Sequence, residues 1–176
     1  GPICYNKIPD CPNLDTCFKE GLCTYNPAVK RCVATELGCI SSTACAEQGI
    51  CGYEPKKQIC VASAQGCGNA EIGCKEQGHC GFDGRRCVGS VDGCANNYIA
   101  CGFHGLCGFD GLNCVASEEG CARSGVSCGV KGLCGFDERE VRCLATPEGC
   151  SASEECQSQG RCYYKDRRCR SLENLH

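Results

Sequence analysis

The chain has 176 residues, and 25 of them are cysteine, about one in seven, above the roughly 8–10% that marks a disulfide scaffold in a short secreted chain. Leu, Ile, Val and Phe together supply only about a sixth of the residues, below the ~20% at which a chain begins to lack material for a conventional core. A formal net charge of −3 argues against a nucleic-acid partner, which needs a basic face, and so many thiols argue against a reducing cytosol.

No apolar run reaches the roughly 18 residues of a membrane span. No initiating Met, leader or Asn-x-Ser/Thr sequon occurs. A processed, secreted, unglycosylated chain at a cell surface or in a matrix is therefore expected.

Residues 1–10 form an arm carrying Cys4. Cysteines 11, 39, 67, 94, 121 and 150 then begin six units, 11–38, 39–66, 67–93, 94–120, 121–149 and 150–176, the last with a tail. Each unit holds four cysteines, so Cys4 is left over, and an odd cysteine in a secreted protein suggests an intermolecular bridge, a reactive free thiol, or a thiol whose partner lies in a longer chain. Five residues always separate the second and third cysteines, and six always separate one unit from the next. The first gap is five or six and the third is six or eight, which reads as insertion at two loop tips. A glycine precedes every third cysteine by two, at 21, 49, 78, 105, 132 and 160. An aromatic follows it by two: Tyr25, Tyr53, Phe82, Phe109, Phe136 and Tyr164. The connecting stretches, such as Val33-Ala34-Thr35, close with a glycine directly before the next cysteine.

Within a unit, Ser41–Gly49 suits one or two helical turns, with a serine N-cap and Gly49 as a left-handed C-cap. Cys80–Cys87 reads as a β-hairpin whose Asp83-Gly84 tip suits a two-residue type I′ loop. That register places Phe82 opposite Arg85 and Cys80 opposite Cys87, and Asp110-Gly111 repeats it. Eight-residue versions, as at Asn26-Pro27 and Glu54-Pro55, take longer turns. Ring and bridges would form a tiny core. Four cysteines allow three pairings, and spacing alone does not choose among them. The expected fold class is a small disulfide-rich repeat protein: an elongated rod of six units, each a short helical turn plus a β-hairpin stapled by two disulfides, with little hydrophobic core.

The pattern Cys11, Cys17, Gly21, Cys23, Cys32, seen again as Cys39, Cys45, Gly49, Cys51, Cys60, resembles the first four cysteines of an EGF-like module. The C-x-C, the last disulfide loop and the acidic calcium signature of that family are missing. The repeats also resemble tandem four-cysteine repeats of secreted bacterial proteins of unassigned function. The EGF-like resemblance implies pairing of first with third and second with fourth cysteines. It implies Cys11–Cys23 and Cys17–Cys32, Cys39–Cys51 and Cys45–Cys60, and Cys67–Cys80 and Cys74–Cys87. In the second half it implies Cys94–Cys107 and Cys101–Cys114, Cys121–Cys134 and Cys128–Cys143, and Cys150–Cys162 and Cys156–Cys169.

Zinc and iron–sulfur ligands usually come as close as C-x-x-C. The nearest cysteines here have five residues between them, and only His79, His104 and His176 could add imidazole, so no metal and no cofactor are expected. No nucleophile stands with an oriented base, so no catalytic residue is expected either. Repeat four is unusual: only Asp110 is charged between Cys94 and Cys114, and Tyr98, Ile99, Phe103, Leu106, Phe109 and Leu112 form a candidate contact patch. Basic residues gather on the hairpins and acidic ones in the connectors. The expectation is an extracellular structural protein of a surface, matrix or filament that associates with itself through its end units and repeat four, or with another extracellular protein. The alternative is a secreted binding or inhibitory protein, either an adhesion ligand or a multi-headed protease inhibitor presenting Lys30, Arg86 or Arg139.

Overall fold

A computed structural model describes residues 7–176. Cys4 lies outside them. The chain is a small disulfide-rich repeat protein, with six two-stranded antiparallel hairpins, short helices and twelve disulfides among the described residues. It forms two compact units. One ends its main stretch at Gly73 and adds Phe82–Cys87; the other comprises Cys74–Gly81 and Val88–His176.

The constant connectors are helix starts. Thr35, Ser63, Ser90, Ser117 and Thr146 each sit extended and accept, through the hydroxyl, the N–H of the glycine three residues on, at 2.9–3.1 Å. Such caps are each worth about 1 kcal/mol. They open the helices Glu36–Ser41, Ala64–Asn69, Val91–Asn96, Glu118–Arg123 and Pro147–Ala152. Each of these helices buries the first cysteine of its repeat completely. The core is accordingly those cysteines and Cys11, with Val33 and Ala34, Ala70, Ala116 and Ala145. The expected rings are not part of it: Phe82 is 36% and Tyr164 42% exposed.

A second helical turn carries the second cysteine. The buried hydroxyls of Ser42 and Ser153 cap Thr43–Gln48 and Glu154–Gln159 as expected for this segment, and Gly49 and Gly160 end those helices in the left-handed conformation. Where the first gap holds six residues, the extra one widens the turn, giving the π-helical stretches Glu71–Glu76 and Gly125–Val130. Repeat four shows the same i→i−5 bonds, from Gly102 N–H to Asn97 O and from His104 N–H to Ile99 O, at 3.3 and 3.2 Å. This insertion is therefore not a free loop tip. The widened turns reach their neighbours: Gly125 and Val126 N–H donate to the Gly102 and Phe103 carbonyls at 2.8 and 2.9 Å.

The disulfides are nested, and none of the pairs implied by the EGF-like resemblance forms. Cys11 joins Cys32, not Cys23; Cys39 joins Cys60, not Cys51; Cys67 joins Cys87, not Cys80. Likewise Cys94 joins Cys114, not Cys107; Cys121 joins Cys143, not Cys134; Cys150 joins Cys169, not Cys162. The second cysteines take the third: Cys17–Cys23, Cys45–Cys51, Cys74–Cys80, Cys101–Cys107, Cys128–Cys134 and Cys156–Cys162. Hence Cys17–Cys32, Cys45–Cys60, Cys74–Cys87, Cys101–Cys114, Cys128–Cys143 and Cys156–Cys169 do not exist.

The cause is the glycine. In repeat two, Gly49 stands one turn beyond Cys45, and its φ of 77° sends the chain back across that turn, so Cys51 arrives 4.5 Å from Cys45, Cα to Cα. That distance lies within the range a disulfide spans. The hairpin register completes the arrangement, because the fourth cysteine faces the aromatic and not the third cysteine: Tyr53↔Cys60, Phe109↔Cys114 and Phe136↔Cys143. The loop at Asp110-Gly111 is accordingly four residues long. Asp110 Oδ1 closes it by accepting the Leu112 and Asn113 N–H groups at 2.9 and 2.8 Å. Asp83 does the same for Arg85 and Arg86, so Phe82 does not face Arg85, nor Cys80 Cys87. A two-residue tip with both φ values positive occurs in repeat six instead, at Asp166-Arg167.

Candidate functional site

The junction between repeats is tightly constrained. A Cβ added to Gly49 would stand 2.7 Å from Cys67 N and 2.8 Å from Gly66 C; one added to Gly66 would stand 2.4 Å from Gly49 O. The same mutual contact recurs at Gly21 with Gly38, Gly78 with Gly93 and Gly132 with Gly149, and a Cβ on Gly120 would likewise stand 2.4 Å from Gly105 O while one on Gly105 would meet Cys121 N and Cα at 3.0 Å. Both members must be glycine because the two backbones touch. The connector leading into the next repeat then bonds back, with Ser63, Ser117 and Thr146 N–H donating to the Gly49, Gly105 and Gly132 carbonyls at 3.2–3.3 Å. The fourth cysteine's sulfur closes the joint. Cys60 Sγ lies 3.1 Å from Glu20 O and Cys114 Sγ 3.4 Å from Gln77 O, contacts without a hydrogen because both sulfurs are in disulfides.

Hairpins clasp as well. Asn26 Nδ2 donates to Gln58 Oε1 at 2.8 Å, and the equivalent positions of repeats five and six pair Asp137 with Arg167 at 3.1 Å. The Glu140 and Arg139 N–H groups, together with the positive field of Arg167 and Arg142, hold the Asp137 carboxyl below its ordinary 3.8. Asp110 is lowered by the Asn113 and Leu112 N–H groups, with its own N–H adding to them. A depressed folded-state pKa contributes stability above the ordinary pKa that is lost as pH falls through the depressed one. The Asp110 loop should therefore loosen only in acid below 3.8. An NMR titration should show the Leu112 and Asn113 amides moving with the carboxyl, and a midpoint at or above 3.8 would contradict the geometry.

Beside the Cys101–Cys107 disulfide runs a groove of about 440 Å³ lined by Ala95, Gly102, Ser117, Glu119, Gly120 and Arg123. Its counterpart of about 540 Å³ lies beside Cys45–Cys51 and uses the equivalent positions Ile40, Ala46, Ser63, Gln65, Gly66 and Asn69. These second-to-third bridges line open space, whereas every first cysteine is at most 1% exposed. Graded reduction followed by alkylation and peptide mapping should label Cys45, Cys51, Cys101 and Cys107 before Cys39, Cys60, Cys94 and Cys114. Simultaneous labelling would refute the ranking.

Among the described residues no three His, Cys, Asp or Glu side chains converge as a metal-ligand set. The repeat-four patch is only partly assembled. Tyr98 and Phe103, 53% and 45% exposed, meet edge to face at 6.4 Å, and the Tyr98 hydroxyl donates to Glu76 Oε1 at 2.7 Å. Leu112 is exposed on the hairpin tip, while Ile99, Leu106 and Phe109 are half-buried. The sequence reading overlooked a second apolar surface on the helix Glu36–Ser41, where Leu37 and Ile40 are 75% and 58% exposed. Their i, i+3 spacing shares a helix face, a signal concealed because the stretch was read as a connector. The basic inhibitor candidates sit in tight turns: Lys30 has a φ of 52°, and the Arg86 and Arg139 N–H groups are held by Asp83 and Asp137. No family model, no curated protein and no solved structure matches the chain.

Proposed function

We propose that this is an extracellular structural protein, a component of a surface, matrix or filament. The observation that carries the reading is the junction. At all five connections from one repeat to the next, the glycine before the next first cysteine packs on the backbone of the elbow glycine, so the repeated geometry of the molecule goes into joining units. Twelve disulfides fit an oxidising compartment, and among the described residues no helix is long and apolar enough to cross a membrane. The Tyr98–Phe103 pair is the proposed self-association face, since exposed apolar patches commonly mark contact sites. A protease-inhibitor role is less well supported, because a left-handed Lys30 cannot lie extended in a protease cleft.

Sedimentation and electron microscopy test the proposal. The average mass of the protein should rise with concentration, and Tyr98→Ser with Phe103→Ser should return it to the monomer. A strictly monomeric protein, or association untouched by the two substitutions, would sink this reading.

A further inference from the structure

Five of the six glycine elbows are buried beneath the following repeat, and the sixth is not. Gly160 holds φ 71° and ψ 14° and caps the helix Glu154–Gln159, just as Gly49, at 77° and 18°, caps Thr43–Gln48. Yet Gly160 is exposed, and among the described residues nothing lies within 4 Å of where its Cβ would stand. At the other elbows that space holds the Gly-Cys step of a following helix start.

Residues 170–176 do not supply that step. Leu172, Leu175 and His176 stand where the earlier connectors carry Ser or Thr, Gly and Cys, and Leu172–Asn174 winds into a 3₁₀ turn. The first repeat of a second copy does not supply it either. At every filled junction the residue before the first cysteine is a glycine whose Cβ would lie 2.4–2.6 Å from the elbow carbonyl. Repeat one has Asp10 there. Pro9 disfavours helical backbone at Ile8, and Lys7 occupies the cap position. Repeat one accordingly opens with only a 3₁₀ turn, Cys11–Asn13, that has no side-chain cap. End-to-end stacking by identical edges, expected from the repetition, is closed to this chain.

The surroundings of Gly160 are suited to contact. Tyr163 stands where the other repeats carry Gly or Thr, and it, Tyr164 and Leu172 are 41%, 42% and 61% exposed. From Arg161 to Arg170 there are five basic residues and one acidic. Four of this chain's own five helix starts carry an acid between cap and glycine: Glu36, Asp92, Glu118 with Glu119, and Glu148.

We propose that the Gly160 elbow is a docking socket for a four-cysteine unit of another chain, one whose first cysteine ends an acidic Ser/Thr-x-x-Gly-Cys helix start, and that Lys7, Pro9 and Asp10 keep this chain's own first repeat out of it. The partner is recognised by backbone contact at its glycine, cap donation to the Gly160 carbonyl and charge complementarity.

The probe is a donor form of this protein carrying Lys7→Thr, Pro9→Glu, Asp10→Gly and Pro12→Ala, the last because a proline one residue past the first cysteine would break the helix start, with its own elbow filled by Gly160→Asn, a residue that tolerates the left-handed cap. Titrated into the unmodified protein and followed by sedimentation, it should form a one-to-one complex. An acceptor carrying only Gly160→Asn should bind the donor roughly tenfold or more weakly. Disulfide mapping confirms that donor and acceptors are folded. A second donor, with Lys7→Ser, Ile8→Glu, Pro9→Glu, Asp10→Gly, Pro12→Ile and Gly160→Asn, guards against a poorly formed first start. Equal binding to both acceptors, or no binding of either folded donor to the unmodified protein, overturns the proposal.

Discussion

Replacing Gly49 with alanine should cost roughly 4 kcal/mol or more, while the same replacement at Gly160 should cost only about 1–2 kcal/mol, the penalty for a left-handed alanine. The two glycines cap equivalent helices with the same backbone angles, so the difference isolates what surrounds them. At Gly49 the added methyl would overlap Cys67 N and Cα and the Gly66 carbonyl carbon, all within 2.7–2.8 Å. These are backbone atoms fixed by a capped helix and a buried disulfide, so no rotamer change relieves the overlap. Unfolding midpoints of the two variants, supported by amide exchange across Cys67–Asn69, provide the measurement. Equal losses at both sites would mean that the junction is not the tight contact described.

Removing the first-to-fourth disulfide of repeat three should be the other large effect. Cys67→Ala with Cys87→Ala opens a bridge of sequence separation 20, worth about 3.3 kcal/mol of loop closure, and also empties a fully buried site. Cys74→Ala with Cys80→Ala opens one of separation 6, worth about 2.4 kcal/mol. Free thiols supply an independent readout. In the nested arrangement each double variant leaves the repeat with none, because its other two cysteines are already partners. In the crossed arrangement each would strand two. Thiol titration of the unfolded, unreduced variants therefore decides connectivity while the stability difference ranks the bridges. Two free thiols in either variant beyond the count for the unmodified protein, which also carries Cys4, would overturn the nested pairing.

What could be read in the residues depended on whether the cause was local. A serine cap, a glycine at a helix end and a cysteine count are local causes, and the helix Thr43–Gln48 with its Gly49 terminus appears as expected. The connectors were misjudged even though their cap chemistry was visible: Thr35-x-x-Gly38 is a helix start, but the glycine at its third position looks like a breaker until its role against Gly21 is known. The hairpin tips were displaced for a similar reason. Asp83 and Asp110 accept two backbone N–H groups each and lengthen the loop, which shifts every cross-strand partner by two positions. Of the contact patch, Tyr98 and Phe103 were found and Leu37 and Ile40 were not, because exposure on a helix face cannot be seen before the helix is.

The sequence by itself determined that there are six four-cysteine units, that each has a helical turn ended by a left-handed glycine and a hairpin with an aromatic, and that Cys4 falls outside them. Those features follow from composition, period and short-range backbone preference. Only the tertiary structure decided which cysteines pair, because pairing depends on where the elbow throws the third cysteine and on which residue the fourth one faces across the hairpin. It also decided that the glycine before each first cysteine is required by the elbow glycine earlier in the chain, a contact between positions 17 residues apart such as Gly21 and Gly38. Contacts of that kind leave no local signature, since a glycine required by someone else's backbone looks the same in the sequence as one required by its own.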